Sequence, residues 1–144
     1  MPNHITNKLE IELSHSDYDK AKEQLSKFKE IAIKDNKESE DNETLSMYNF
    51  IPRPTEQDSD WYAWNCENWG TKWDTYECSI DDESEDYIYY TFLTAWSPPL
   101  EFLKTIGKRF PLLEFYIVFQ EEGMGFMGKM FIKEGKVVVE KWLD

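Results

Sequence analysis

The chain has 144 residues, 40% hydrophobic and 16% aromatic, and its 16 Lys and Arg stand against 29 Asp and Glu for a net charge of −13. That length suits one domain over residues 1–144 with a core large enough to fold unaided, and the apolar content is too high for an acidic disordered tail. Contact with nucleic-acid phosphates or an anionic membrane is disfavoured, because both need a basic face.

The acidic excess is local. Residues 1–33 carry five Lys and six acids, residues 97–144 carry seven of each sign, and residues 34–96 carry four bases against sixteen acids. The same middle stretch holds Trp61, Trp64, Trp69, Trp73 and Trp96, five of the six tryptophans. It reads as a solvated acidic surface over a Trp-rich core, with an acidic, aromatic-rimmed binding face as the sharper alternative. No apolar stretch approaches the roughly 18 residues of a membrane helix, and no basic-then-apolar leader opens the chain. Two cysteines make no disulfide framework, so the cytoplasm is the expected location.

Residues 4–13 nearly alternate apolar and polar and predict a strand. Ser16 is placed to cap a helix, with Asp17 and Asp19 at its positive end and Tyr18, Ala21, Leu25, Phe28 and Ala32 on one stripe. Residues 34–44 contain no apolar side chain and read as a loop, and 47–54 as a short ordered segment ended by prolines. Asp60 is placed to cap a short helix over 61–68, with Gly70 suited to a left-handed C-cap. Strands are predicted over 71–80 and 87–96, joined as a hairpin by the acidic turn 81–86.

Ser97-Pro98-Pro99 predicts a helix start, with Leu100, Leu103, Ile106 and Phe110 inward and Pro111 as the stop. A strand over 113–121 follows, then extended pieces over 125–133 and 136–142 around a Glu134-Gly135 turn. This order is the βαββαβ arrangement of a ferredoxin-like α+β fold: an antiparallel sheet with helices on one face and a C-terminal hairpin extension.

Motifs for chemistry are few. Residues 123–128 spell G-x-G-x-x-G, but Lys129–Lys133 reads as strand where a dinucleotide site needs a helix, so these glycines predict a hairpin turn and a bulge. Cys66 and Cys78, with His4 and His15, lack metal-ligand spacing, and the run 81–86 lacks the pattern of a calcium loop. No nucleophile elbow, zinc-protease motif or P-loop is present, so an enzyme is disfavoured and neither a cofactor nor a metal is expected. Tyr76, Tyr89, Tyr90, Phe92 and Tyr116 on predicted strands could stack bases, but without a basic rim they are read as core.

The stretches Asn68-Trp69-Gly70-Thr71-Lys72-Trp73-Asp74 and Thr91-Phe92-Leu93-Thr94-Ala95-Trp96-Ser97-Pro98-Pro99 are distinctive. With the opening Met1-Pro2-Asn3-His4-Ile5-Thr6-Asn7 and Phe50-Ile51-Pro52-Arg53-Pro54, the chain resembles the YubB-like ferredoxin-like domain family of plasmid, phage and bacterial proteins. The resemblance implies a ferredoxin-like fold and brings no established activity.

Two readings of the motif follow. As a folding device, Trp69-Gly70 ends the short helix, Trp73 and Trp96 pack across the hairpin, and Lys72 and Asp74 share a strand face. As a site, Trp69, Lys72, Trp73, Asp74, Trp96 and Ser97 line a pocket where free amides at the Ser97 helix start take an anion.

Asp81, Asp82, Glu83, Glu85 and Asp86 form a candidate acidic face that suits a protein partner with a basic surface, in the manner of a nucleic-acid mimic. The leading expectation is a non-catalytic binding or regulatory protein of a mobile genetic element. The alternative is a small-ligand binder or enzyme with a pocket between the Trp-rich hairpin and the second predicted helix.

Overall fold

In the computed structural model, residues 3–34, 44–123 and 125–143 are described. Six strands, β1 (His4–Leu13), β2 (Tyr76–Glu83), β3 (Tyr87–Ala95), β4 (Leu113–Glu121), β5 (Met127–Lys133) and β6 (Lys136–Leu143), form one antiparallel sheet in the order β2-β3-β1-β4-β5-β6. The helices are α1 (Tyr18–Ala32), α2 (Met47–Phe50), α3 (Trp61–Asn68) and α4 (Leu100–Arg109), with a 3-10 turn over Thr55–Asp60 running straight into α3.

Strict alternation on β1 and β4 gives the sheet one inward face. Ile5, Leu9 and Ile11 are fully buried, as are Leu113, Ile117 and Phe119, while their even-numbered neighbours face away. On the inward side α1 applies Ala21, Leu25, Phe28 and Ala32, and α4 applies Leu103 and Ile106. Phe28 is the hub: its ring centre lies 4.7 Å from Phe50, 5.6 Å from Phe110 and 6.0 Å from Phe115, tying α1, α2, α4 and β4 together.

Several local expectations are corrected. The N-cap of α1 is Asp17, whose carboxylate accepts from the Lys20 amide at 3.2 Å, rather than Ser16. Tyr18 leaves the apolar stripe, half its surface in solvent, because its hydroxyl donates to Asp86 at 2.6 Å. Asp60 precedes α3 without a side-chain cap, since the 3-10 turn already feeds the helix. Pro98 and Pro99 lie before α4, not within its first turn.

Strand β2 begins at Tyr76 rather than 71 and runs through Asp81–Glu83, leaving a turn of only Ser84–Asp86. Of the loop expected over 34–44, residues 35–43 lie outside the described residues.

The C-terminal hairpin closes on Glu134 and Gly135, both at positive φ (55° and 75°), the conformation of a tight two-residue turn matched to strand twist. In the G-x-G-x-x-G stretch, Gly125 donates its amide to Glu121 Oε2 at 3.0 Å, and a Cβ there would collide with that carboxylate. Gly128 lies in β5 between Phe119 and Trp142. These glycines wrap a carboxylate of the chain itself and admit close strand packing.

Candidate functional site

The Trp motif splits into an inward and an outward half. Gly70, at φ +84°, reverses the chain after α3, its amide donating to Asn65 O and Cys66 O at 3.1 Å. Trp69 turns inward, fully buried: its indole N–H donates to Ile51 O at 3.0 Å and its ring meets Trp64 edge-on at 5.4 Å. Thr71 Oγ1 donates to Ala95 O at 2.8 Å, and Asn65 Nδ2 donates to Lys72 O at 2.9 Å. These bonds hold 69–73 as an irregular segment ahead of β2, where strand was predicted from residue 71 onward.

Asp74 also points inward, away from Lys72. Its carboxylate accepts the Met47 amide (2.8 Å), the Tyr48 amide (3.1 Å), the Ser46 hydroxyl (2.9 Å) and the Thr75 amide (2.8 Å). It therefore caps α2 from a distant part of the chain. Burial pushes its pKa up to about 6, although all four donors pull the other way. The expected shared strand face of Lys72 and Asp74 is corrected: Asp74 is buried and its acceptor capacity goes to three backbone amides and the Ser46 hydroxyl, while Lys72 turns outward.

Outside, one ammonium gathers three rings. Lys72 Nζ lies 4.9 Å from the ring centre of Trp73, 5.7 Å from Tyr62 and 5.8 Å from Trp96. Trp61 stacks on Tyr62 at 5.9 Å, and Trp73 meets Tyr76 at 6.2 Å. Tyr62 is 53% exposed, Trp96 45%, Trp73 38% and Trp61 37%, so the Trp-rich middle of the chain is largely surface. Trp73 and Trp96 meet through Lys72 rather than by direct packing across the hairpin.

Trp96 stands at φ +74°, a backbone region that costs a bulky residue about 1–2 kcal/mol. Its amide donates to Asn3 O at 2.8 Å.

Tyr62 and Trp61 were missed as partners in this group. The signal was their adjacency on one short helix, where neighbours point about 100° apart and one buried face cannot take both.

The space expected between the hairpin and the second predicted helix, now α4, is filled by chain. Trp69 O accepts the Phe102 amide at 3.2 Å, and a Cβ on Gly70 would stand 3.0 Å from Glu101 N. Ser97 Oγ donates to Gly70 O at 2.6 Å and Ser97 O accepts from Thr94 at 2.8 Å. Of the amides expected to be free for an anion at the Ser97 helix start, Phe102 donates to Trp69 O and Leu100 to Pro98 O at 2.9 Å, and the Gly70 backbone crowds Glu101 N.

The acidic stretch is partly neutralised by α1. Lys22 Nζ reaches Glu85 at 3.2 Å, Lys29 Nζ reaches Glu83 at 3.6 Å and Ser84 O at 2.6 Å, and Tyr87 donates to Asp82 at 2.9 Å. Asp81 accepts from Thr91 at 2.5 Å. All five carboxylates remain exposed. Cys66 and Cys78 are free thiols, and burial pushes Cys78 up to about 12 with Asp74 and Asp81 adding to it. Of the strand aromatics, Tyr90 and Phe92 are core, but Tyr89 and Tyr116 lie on the opposite face of the sheet.

An antiparallel six-stranded sheet backed by helices, with an aromatic surface group at one end of β3, defines a ferredoxin-like α+β domain. Residues 72–144 match the family model described as "Ferredoxin-like domain in Api92-like protein", half of the chain, and the chain belongs to that family. Among solved structures it is similar to protein api92 from Yersinia pseudotuberculosis, at 16% identity and a TM-score of 0.50, over 58% of this chain and 30% of that one. That likeness speaks to the fold alone, and the matched region is about a third of the api92 chain's length. No curated protein matches the chain.

Proposed function

We propose that the chain is a non-catalytic protein-binding domain whose contact surface is the aromatic group around Lys72. The carrying observation is Trp96: an exposed ring held at φ +74° over a lysine, where glycine would be the unstrained choice. A fold keeps such a residue when the ring has work outside the core. Exposed Trp and Tyr in a contiguous group are the residues that dominate protein interfaces.

The partner this surface suits has a basic face. The charge of Lys72 is turned onto the rings, and Asp81, Asp82, Glu83, Glu85 and Asp86 stand exposed at the far, turn end of the same β2–β3 hairpin. The resemblance to the YubB-like family supports placing the protein on a mobile genetic element and its action in the bacterial cytoplasm.

The test is photocrosslinking from position 73 in a host lysate, compared with the same bait carrying Trp96→Ala. A single basic protein captured at low salt, weakened by Trp96→Ala and released as salt rises, supports the reading. Capture that ignores both the substitution and the salt overturns it.

A further inference from the structure

The helices claim only the odd-numbered side of β1 and β4. Among the described residues, the even-numbered side is a bare sheet face. Register places Glu10 opposite Tyr89 on one flank and Tyr116 on the other, Tyr116 opposite Phe131, and Glu12 opposite Glu114. The rings of Tyr116 and Phe131 meet edge-on at 6.1 Å. With Glu10, Glu12, Glu114 and Lys129 they line a groove of about 370 Å³.

The carboxylates of Glu10 and Glu114 on this face do not serve the fold. Like charges directly opposite on neighbouring strands destabilise the pair, and glutamate is a poor strand former. Yet Glu12 and Glu114 oppose each other on two interior strands of the sheet, with Glu10 one pair along. Glu12 accepts the Tyr89 hydroxyl at 2.7 Å. Glu10 and Glu114 make no hydrogen bond or ion pair among the described residues, although both are half-buried. Aromatic walls beside unpaired carboxylates are complementary to one side chain above others. A guanidinium is planar, weakly hydrated, stacks on rings and forks onto carboxylates.

We propose that this groove binds an arginine side chain presented by a segment of a partner protein. The guanidinium lies against Tyr116 and Phe131 within reach of Glu10 and Glu114, and Lys129 closes the end of the groove to a second cation. The carboxylates repel a phosphate backbone, which separates this face from base-stacking sheets of similar layout. It is a second surface, independent of the group around Lys72.

The experiment is an NMR titration of the ¹⁵N-labelled full chain with acetylated, amidated Gly-Arg-Gly, and with the same peptide carrying citrulline, which keeps the shape and removes the charge. The expected result is amide shifts concentrated at residues 10–12, 114–116 and 129–131 with the arginine peptide and none with citrulline. Glu10→Gln and Glu114→Gln should each weaken binding about fivefold or more. Because Glu114→Gln also relieves a like-charge pair, its melting temperature should equal or exceed that of the parent chain. Three results overturn the proposal: equal binding of the citrulline peptide, no binding at all, or shifts confined to residues 81–86. Binding unchanged in both folded variants, or the same amides shifted by an oligouridylate, does so as well.

Discussion

Lys72 Nζ sits 5.8 Å from the ring centre of Trp96, and the backbone that delivers that ring is at φ +74°. The contact and the strain oppose each other at one residue. An exposed cation–π contact contributes about 0.5–1 kcal/mol, no more than the backbone cost of about 1–2 kcal/mol. Trp96→Gly is therefore expected to melt no lower than the parent chain, while Trp96→Ala, which loses the ring and keeps the strain, melts below it. Thermal unfolding of the pair decides. A large fall for the glycine variant would show the ring to be core and would remove the basis of the recognition reading.

Trp69 makes the opposite case, with its surface gone and its one donor used. Trp69→Ala should cost about 3–5 kcal/mol for the lost packing. Trp69→Phe keeps most of the ring but strands the Ile51 carbonyl, adding about 1–3 kcal/mol on top of a modest cavity. Denaturant unfolding with both variants checks the order. Both variants lack the indole donor, so equal losses would mean that the hydrogen bond carries the effect and the ring packing adds nothing.

Asp74 gives the fold a pH dependence of unusual sign for a carboxylate. Its pKa rises from 3.8 to about 6 on folding, so the native state holds the proton more tightly than the unfolded chain. Its contribution is full below about pH 4 and is lost as the pH climbs through about 6, a swing of about 3 kcal/mol. Asp74→Asn does not titrate, so its deficit relative to the parent chain should be larger at pH 4 than at pH 7.5. Urea titrations at both pH values measure it, and equal deficits would refute the shift.

Gly128 has no room for a methyl group. A Cβ there would stand 2.5 Å from Lys141 O and 2.6 Å from Phe119 Cζ, and the first is backbone that cannot swing aside. Gly128→Ala should destabilise by about 1–3 kcal/mol. Hydrogen exchange should quicken across β5 and β6 while β1 stays protected. Uniform loss of protection would place the damage elsewhere.

Periodicity carried much of the strand reading because β1 and β4 have one wet face and one dry face. Helix α1 and the Glu134-Gly135 hairpin were equally local in their signals. Where the reading failed, the deciding partner was distant in sequence. Thr71 and Asp74 look like strand or surface residues until Ala95 O and the amides of α2 arrive to satisfy them. Tyr18 has the hydrophobicity for the core, but Asp86 holds its hydroxyl outside. The tryptophans invited a buried reading by size alone. Only the fold shows that Trp69 is inside while Trp73 and Trp96 flank a lysine. The groove around Tyr116 was half visible, because the strand aromatics were noted, but sorting Tyr116 from Phe92 required the register.

That register also makes residue parity informative. On β1 and β4 the odd numbers belong to the folded interior and the even numbers to solvent, without exception from Ile5 to Leu13 and from Leu113 to Glu121. A deep substitution scan of these two strands would divide by arithmetic: odd positions would govern how much protein accumulates, and even positions what it recognises once made. Two assays, abundance and capture, would then read the same eighteen codons as two separate messages.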